Sequence, residues 1–195
     1  MILSEPTELL WAFIGLILTI IGTHVGASIA APPWAWFQSG IHVHSLGVSY
    51  QIGAVLLIGC LGGRNSAALS QIAYLFLGLL DFPVFTNGGG LDYYQEPTFG
   101  YLLGFVPGAW VCGWLAFQAS PKIESLAFSS LCGLLSIHVC GLFYAALGYA
   151  FGWLEATVSL PIFVLKYSIY LFPSQLAIVC GLAIFAYLIR KALFY

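Results

Sequence analysis

The sequence predicts an all-α membrane protein that consists of a bundle of six transmembrane helices. Of its 195 residues, 61% are hydrophobic and only 6% are charged, and the mean hydropathy is +0.99. About a quarter of the residues in a soluble domain are charged, and a chain of this length cannot bury so much apolar surface in one core. The composition excludes a soluble enzyme and a disordered chain, and the net charge of -2 lacks the basic surplus typical of nucleic-acid binding.

Proline, glycine and polar residues divide the chain into apolar blocks whose lengths suit a membrane crossing. Pro32 and Pro33 end the first block, and residues 62–66 separate the second from the third. Residues 160–172, with Lys166 at their middle, are short for a crossing, and we expect an external or re-entrant segment there. The chain is predicted to form a single membrane domain, residues 1–195, with spans at 9–31, 46–61, 67–80, 99–117, 125–151 and 174–189.

The basic residues predict the orientation of the bundle. If the N-terminus is cytoplasmic, Arg64, Lys122, Arg190 and Lys191 all lie on the inner side, and Lys166 is the one basic residue outside. Short loops rich in Lys and Arg stay in the cytoplasm. We therefore expect a multi-pass protein of the cell (plasma) membrane with both termini inside.

The first span carries small residues at steps of three or four, namely Gly15, Thr19, Gly22, Gly26 and Ala30. In lipid, small residues promote helix association because they let two backbones approach closely. The stripe predicts a contact surface, either with the protein's own helices or with a partner subunit, and we take it as the candidate partner-docking face.

The chain offers no recognisable residues for catalysis or for metal binding. It contains no P-loop, no H-E-x-x-H and no G-x-S-x-G, and its five cysteines form no C-x-x-C pair. His24 and His138 suit interhelical hydrogen bonds better than a proton path, because the spans hold no deep carboxylate. We expect no catalytic residue, no metal and no cofactor.

The loop at residues 81–98 is the part of the sequence most suited to a ligand. Gly88, Gly89 and Gly90 let backbone N–H groups approach a solute closely, and the helix that opens near Thr98 directs free N–H groups outward, which favours a carboxylate. A ring-shaped solute also needs aromatic walls, and the nearby aromatic residues are Tyr74, Phe85, Tyr93, Tyr94 and Tyr101. An ordinary outer loop built of turn residues remains the alternative.

Five short blocks occur in order along the middle of the chain: Q-I-G-A-V-L-L at 51–57, G-G-R at 62–64, Y-L-F-L-G at 74–78, F-P-V-F at 82–85, and P-T-F-G-Y-L-L-G-F at 97–105. This order resembles the BioY family, the biotin-specific substrate-binding (S) components of energy-coupling-factor (ECF) transporters. Five blocks in the right order are far more specific than any one of them.

The sequence departs from the family pattern at four positions. Glu96 and Phe99 replace two glycines of G-P-T-G-G-Y, and Gln175 and Ile178 stand where the family has an acid and a lysine of the ligand site. Losing both charges together keeps the pair neutral, and Gln175 retains hydrogen-bonding groups for a urea-like ring. These departures bear on the substrate more than on the fold.

The resemblance implies an ECF S-component-like bundle whose external loops cap biotin. Such a subunit has no ATPase of its own. A transmembrane coupling protein and two ATP-binding subunits would reorient it and release biotin inside, with the small-residue stripe as the docking face. A homo-oligomer that acts without this module stays open.

The resemblance also suggests which residues would contact each part of biotin. The carboxylate would meet the amides of Gly88–Gly90, Asn87 or Lys166, and the ureido ring would meet Gln175 and Asp81. Aromatic side chains would wall the thiophane ring and the valeryl chain. The complete predicted substrate site is Gln51, Tyr74, Asp81, Phe85, Asn87, Gly88, Gly89, Gly90, Thr98, Tyr101, Lys166 and Gln175.

Two other functions remain open at this point. An S component for another small vitamin or precursor is compatible with Gln175 and Ile178, and a non-transport membrane scaffold is compatible with the glycine stripes. The sequence assigns no role to His42 or His44 in the first loop.

Overall fold

The computed structural model describes residues 5–30, 43–154 and 159–194. His42 and the last residue of the first predicted span lie outside the described residues. The architecture is mostly helical, as predicted. Within the described part of the chain, five helical stretches are long and apolar enough to cross a membrane, namely Pro6–His24, Gln51–Leu79, Phe99–Ala116, Ile123–Phe151 and Leu160–Leu193.

The first helix ends earlier than predicted. Helix α1 covers Glu5–His24, and strand β1, Gly26–Ala30, follows it almost directly. β1 pairs antiparallel with strand β2, Val43–Ser49, so the backbone of this segment finds its partners in a sheet. Gly26 favours this change because glycine weakens a helix by about 1 kcal/mol relative to alanine. The helical prediction is wrong for β1, and it is wrong again for β2, because the second span begins after that strand rather than at residue 46.

Helix α2, Gln51–Leu79, reverses direction at Gly63. The φ and ψ angles of Gly63 are 78° and -179°, a conformation that essentially only glycine adopts. Gly15 of α1 lies against the side chains of both Ile58 and Ser70, which would be about 18 Å apart along a straight helix. The two halves of α2 therefore run antiparallel beside α1, and the break predicted from the sequence contains the reversal.

Helices α3, Phe99–Ala116, and α4, Ile123–Phe151, approach each other through glycines. A methyl group on Gly108 would lie 2.9 Å from the carbonyl oxygen of Gly133 and 2.5 Å from the side chain of Ile137. In lipid, where hydrophobic burial between helices gives no driving force, such close packing supplies the attraction. The two helices therefore form a closely packed pair beside α2.

The last helical stretch contains a π-helical turn near its start. Helix α5, Leu160–Val164, passes through a π-helical turn, Leu165–Ile169, and then into helix α6, Phe172–Phe194. The ring of Phe163 packs against that of Tyr101 in α3. The segment expected to be external or re-entrant is thus helical and packed, and it continues into α6. Single π turns of this kind are frequent at functional sites.

The two ends of the bundle differ in composition. At one end Arg190 donates from Nη1 to the carbonyl oxygen of Ala116, at 2.8 Å. We call this the basic end, because it carries Arg64, Lys122, Arg190 and Lys191. We call the opposite end the hairpin end, because it carries β1 and β2, the α2–α3 loop and the start of α3.

Candidate ligand-binding cavity

A cavity of about 590 Å³ opens at the hairpin end. Both strands, the α2–α3 loop and helices α1, α2, α3 and α6 contribute to it, together with the π-helical turn. Its lining is part polar and part aromatic. The lining residues are Thr23, Gly26, Ser45, Gly47, Val48, Ser49, Gln51, Ile52, Thr86, Asn87, Tyr93, Glu96, Thr98, Tyr101, Leu102, Phe105, Tyr167, Leu171 and Gln175.

One wall of the cavity is a hydrogen-bonded group around Tyr74. The Nε2 of Gln51 donates to the Tyr74 hydroxyl at 2.8 Å, and that hydroxyl donates to the carbonyl oxygen of Val84 at 2.9 Å. The Thr23 hydroxyl lies 3.1 Å from the hydroxyl oxygen of Tyr74. Tyr74 is fully buried, so it ties α1, both halves of α2 and the α2–α3 loop together behind the cavity lining.

A second hydrogen-bonded group at the cavity is a chain of four polar side chains. The Tyr101 hydroxyl lies 2.7 Å from the hydroxyl of Ser168, which lies 3.1 Å from the Nδ1 of His138. The Nε2 of His138 lies 2.6 Å from the Oε1 of Gln175. The chain joins α3, the π-helical turn, α4 and α6, and its two ends, Tyr101 and Gln175, both line the cavity.

The glycine-rich loop packs against the end of α2. Gly90 donates its backbone N–H to the carbonyl oxygen of Gly78 at 2.8 Å, and Gly89 lies so close that an added methyl would meet that same oxygen at 2.7 Å. The ring of Phe85 covers Gly78 and packs against that of Tyr93 in a tilted arrangement, with 4.7 Å between ring centroids. The glycines allow this close approach to the helix, and they do not line the cavity.

The structure brings together five of the predicted substrate-site residues. Gln51, Asn87, Thr98, Tyr101 and Gln175 all line the cavity. The other predicted residues lie elsewhere. Tyr74 and Phe85 are buried behind the lining, Asp81 and Lys166 are exposed, and Gly88, Gly89 and Gly90 belong to the packed loop.

Sequence reasoning did not assign several lining residues to the site. Ser45 and Ser49 come from β2, most of which the sequence had assigned to the second predicted span, and Tyr167 comes from the π-helical turn. The position of His138 inside a predicted membrane span was the sequence feature that could have indicated the chain of polar side chains. Glu96 was visible as a departure from the family pattern, and it is the one carboxylate among the described lining residues.

Ile178 lies outside the cavity lining. It packs in an apolar groove between α1, α2 and α6, where a methyl on Gly53 would lie 2.9 Å from its Cγ2. The described residues that line this groove are mostly apolar and include no carboxylate that could pair with a lysine. Isoleucine therefore suits the local surroundings.

The small-residue stripe of α1 is used within the chain. Gly15 packs on α2, Thr19 is fully buried and receives a hydrogen bond from Gln71 at 3.1 Å, and Gly22 abuts the backbone at Gln51. Gly26 and Ala30 lie in β1 rather than on the helix. The stripe therefore makes the intramolecular contact that the sequence left as the alternative to partner docking.

Burial raises the pKa of Tyr93 in the α2–α3 loop, and a hydrogen bond from the backbone of Asn87 opposes this effect. Tyr93 is therefore a neutral hydroxyl at physiological pH.

Among the described lining residues the cavity has no Lys or Arg, so polar recognition in this part of the chain depends on hydroxyls, amides and one carboxylate.

Residues 4–192 match the BioY family. An uncharacterized 21.2 kDa protein from the psbX–ycf33 intergenic region of Cyanophora paradoxa is 29% identical over 188 residues, which are 95% of each chain. A probable biotin transporter BioY of Lysinibacillus sphaericus is 40% identical over 95 residues, which are 48% of each chain. The biotin transporter BioY of Thermotoga maritima is 38% identical over 97 residues, 48% of this chain and 55% of that one. The matched part thus spans about half the length of these two transporters.

The fold is similar to a crystal structure of the S-component for biotin from an ECF-type ABC transporter. The TM-score is 0.68 and the sequence identity is 18%, over 97% of this chain and 95% of the other. At this identity the likeness concerns the fold. Since the family match extends over nearly the whole chain, the protein belongs to the BioY family.

Proposed function

We propose that this chain is the substrate-capture subunit of a biotin uptake transporter. The observation that carries the proposal is the cavity at the hairpin end of this BioY-family member. The side-chain amides of Gln51 in α2 and Gln175 in α6 both line it. Its volume lies within the roughly 300–1,000 Å³ typical of small-molecule sites.

The polar groups of the cavity suit a ureido ring. Such a ring has one carbonyl oxygen that accepts hydrogen bonds and two N–H groups that donate them. Gln51 uses Nε2 to bind Tyr74, which leaves its Oε1 to accept from the ligand. Gln175 engages its Oε1 with His138, which leaves its NH₂ to donate. Tyr101, Leu102 and Phe105 provide apolar surface for the rest of the ligand.

The proposed topology has six crossings, with both termini inside the cell. The reversal at Gly63 supports six crossings, because it divides the Gln51–Leu79 stretch into two antiparallel halves. The clustering of Arg64, Lys122, Arg190 and Lys191 at one end supports an inward-facing basic end. The cavity would then open outward at the plasma membrane, where it would collect biotin.

Release of biotin inside would depend on partners. We propose that a transmembrane coupling protein and two ATP-binding subunits of an ECF module energise this chain, as the family membership suggests. Whether the chain also acts as a homo-oligomer without the module can be tested by uptake with and without the module subunits.

Ligand-dependent stabilisation tests the proposal. The detergent-purified chain is melted with increasing biotin, and with thiamin and riboflavin as controls. A ligand that binds only the folded state stabilises it by RT ln(1 + [L]/Kd), so biotin should raise the melting temperature with saturation and the controls should not. No shift with biotin in folded, ligand-free protein would contradict the proposal. A shift with another vitamin instead would favour the second reading of Gln175, an S component for a different small molecule.

A further inference from the structure

We propose that His138 is a positioning residue that fixes the Gln175 amide with its NH₂ toward the cavity, so that Gln175 recognises a hydrogen-bond acceptor of the ligand. This inference rests on the proposed function, and for biotin the acceptor is the ureido oxygen. The contact that carries it is the 2.6 Å separation between the Nε2 of His138 and the Oε1 of Gln175.

The direction of this hydrogen bond follows from the chemistry of an amide. Oε1 is a carbonyl oxygen without a hydrogen, so it can only accept. The Nε2 of His138 must therefore carry the proton and donate. Both residues are buried, with 6% of His138 and 5% of Gln175 exposed, and loss of a buried hydrogen bond is costly because the freed groups have no water.

The rest of the polar chain supports the same tautomer. With the proton on Nε2, the Nδ1 of neutral His138 is an acceptor, and the Ser168 hydroxyl at 3.1 Å donates to it. The oxygen of Ser168 then accepts from the Tyr101 hydroxyl at 2.7 Å. Every donor in this chain has an acceptor, and each bond points toward Gln175. A satisfied buried network of this kind holds its members in one arrangement.

The consequence for the cavity is a fixed polarity at Gln175. Its Oε1 is engaged behind the lining, and Gln175 itself lines the cavity. Within the described part of the chain no protein acceptor contacts its Nε2. The group presented to the ligand is therefore NH₂, which meets an acceptor favourably and a donor unfavourably.

The experiment compares biotin with 2-iminobiotin at a pH where the guanidino group of the analogue is protonated. The analogue is similar in shape but carries an N–H donor where biotin has its ureido oxygen. Wild-type protein should bind biotin more tightly by a factor of about 100, because with the analogue the buried NH₂ of Gln175 faces another donor and stays unpaired. The readout is the ratio of the two dissociation constants, which a general loss of stability does not change.

Three variants separate positioning from structure. His138→Phe removes the donor and frees the amide to rotate, so the ratio should fall toward 1. His138→Gln keeps an N–H donor near the position of Nε2 and should restore the ratio. Gln175→Glu presents only acceptors and should invert the preference. His24→Phe, at an exposed histidine outside the cavity lining, should leave the ratio unchanged.

A wild-type ratio in His138→Phe would overturn the inference while leaving biotin binding intact. If that variant does not fold, an unchanged ratio in a folded Gln175→Glu protein overturns it equally. Failure of the wild-type protein to bind biotin at all would overturn the proposed function as well, so the two failures can be distinguished.

Discussion

The side-chain amide of Gln51 donates to the hydroxyl of Tyr74 at 2.8 Å, although the two residues begin and nearly end the same helical stretch. This contact requires the chain to turn back at Gly63. It also places the first half of α2 and the loop after its second half on the same side of the cavity. The reversal at Gly63 therefore helps to form the cavity.

We expect Tyr74→Phe to lower both stability and biotin affinity. The substitution leaves the Nε2 of Gln51 and the carbonyl oxygen of Val84 without their shared partner in a buried region, which typically costs about 1–3 kcal/mol. Thermal unfolding and biotin titration measure the two effects. Tyr170→Phe is the matched control, because Tyr170 is exposed, and it should behave as wild type. Equal behaviour of both variants would contradict the structural role of the hydroxyl.

Gly63→Ala should destabilise the protein by about 1–3 kcal/mol, because the φ of 78° with ψ near 180° is strained for any residue with a Cβ. Gly181→Ala serves as the control. Gly181 lies in α6 with nothing within 4 Å of an added methyl, and alanine there should be neutral or stabilising. Melting temperatures in detergent compare the two. A Gly63→Ala protein as stable as wild type would mean that the chain does not reverse there.

Gly78→Ala should displace the ring of Phe85, which occupies the space of the new methyl group. Overpacking of this kind typically costs about 1–3 kcal/mol, and the displaced ring would also disturb Tyr93 in the cavity lining. The double variant Gly78→Ala/Phe85→Leu should recover part of the lost stability. If the double variant is no more stable than Gly78→Ala alone, the clash between the new methyl group and the Phe85 ring is not the cause of the lost stability.

Glu96→Gln should tighten biotin binding by up to about tenfold, or about 1.4 kcal/mol. The reason is that Glu96 lines the cavity and repels the ligand's carboxylate. Salt screens this repulsion, so wild-type affinity should rise with ionic strength whereas that of the variant should not. Biotin amide, which is neutral, should show neither effect. Asp92→Asn changes an exposed carboxylate outside the lining and should leave the affinity unchanged. An equal response of both variants would contradict the role of Glu96.

The composition and the proline, glycine and polar residues between apolar blocks predicted the helical architecture, because a membrane-spanning helix requires a long apolar stretch. The sequence also located the break at residues 62–66 and five cavity residues, since the motifs around Gln51 and Thr98 are local patterns. It missed β1 and β2, because the short stretch at Gly26–Ala30 is as apolar as a helix end and reveals its partner strand only in three dimensions.

The sequence also could not distinguish residues that line the cavity from those that support it. Tyr74 and Tyr101 are both aromatic and both near the site, but Tyr74 is buried behind the lining whereas Tyr101 faces the cavity. Likewise, Gly88–Gly90 suggested backbone donors for a ligand, but Gly89 packs closely on Gly78 and Gly90 donates its N–H to the carbonyl oxygen of Gly78. Such distinctions depend on tertiary contacts between elements that are distant in the chain.

Direct titration of the purified protein with biotin tests the central claim that the cavity at the hairpin end is a biotin site. Calorimetry on the wild type should show saturable binding of one biotin per chain. The double variant Gln51→Leu/Gln175→Leu, which removes both amides from the lining, should lose that binding while its unliganded form still unfolds cooperatively. Absence of binding in the folded wild type, or binding that survives unchanged in the folded double variant, would contradict the account.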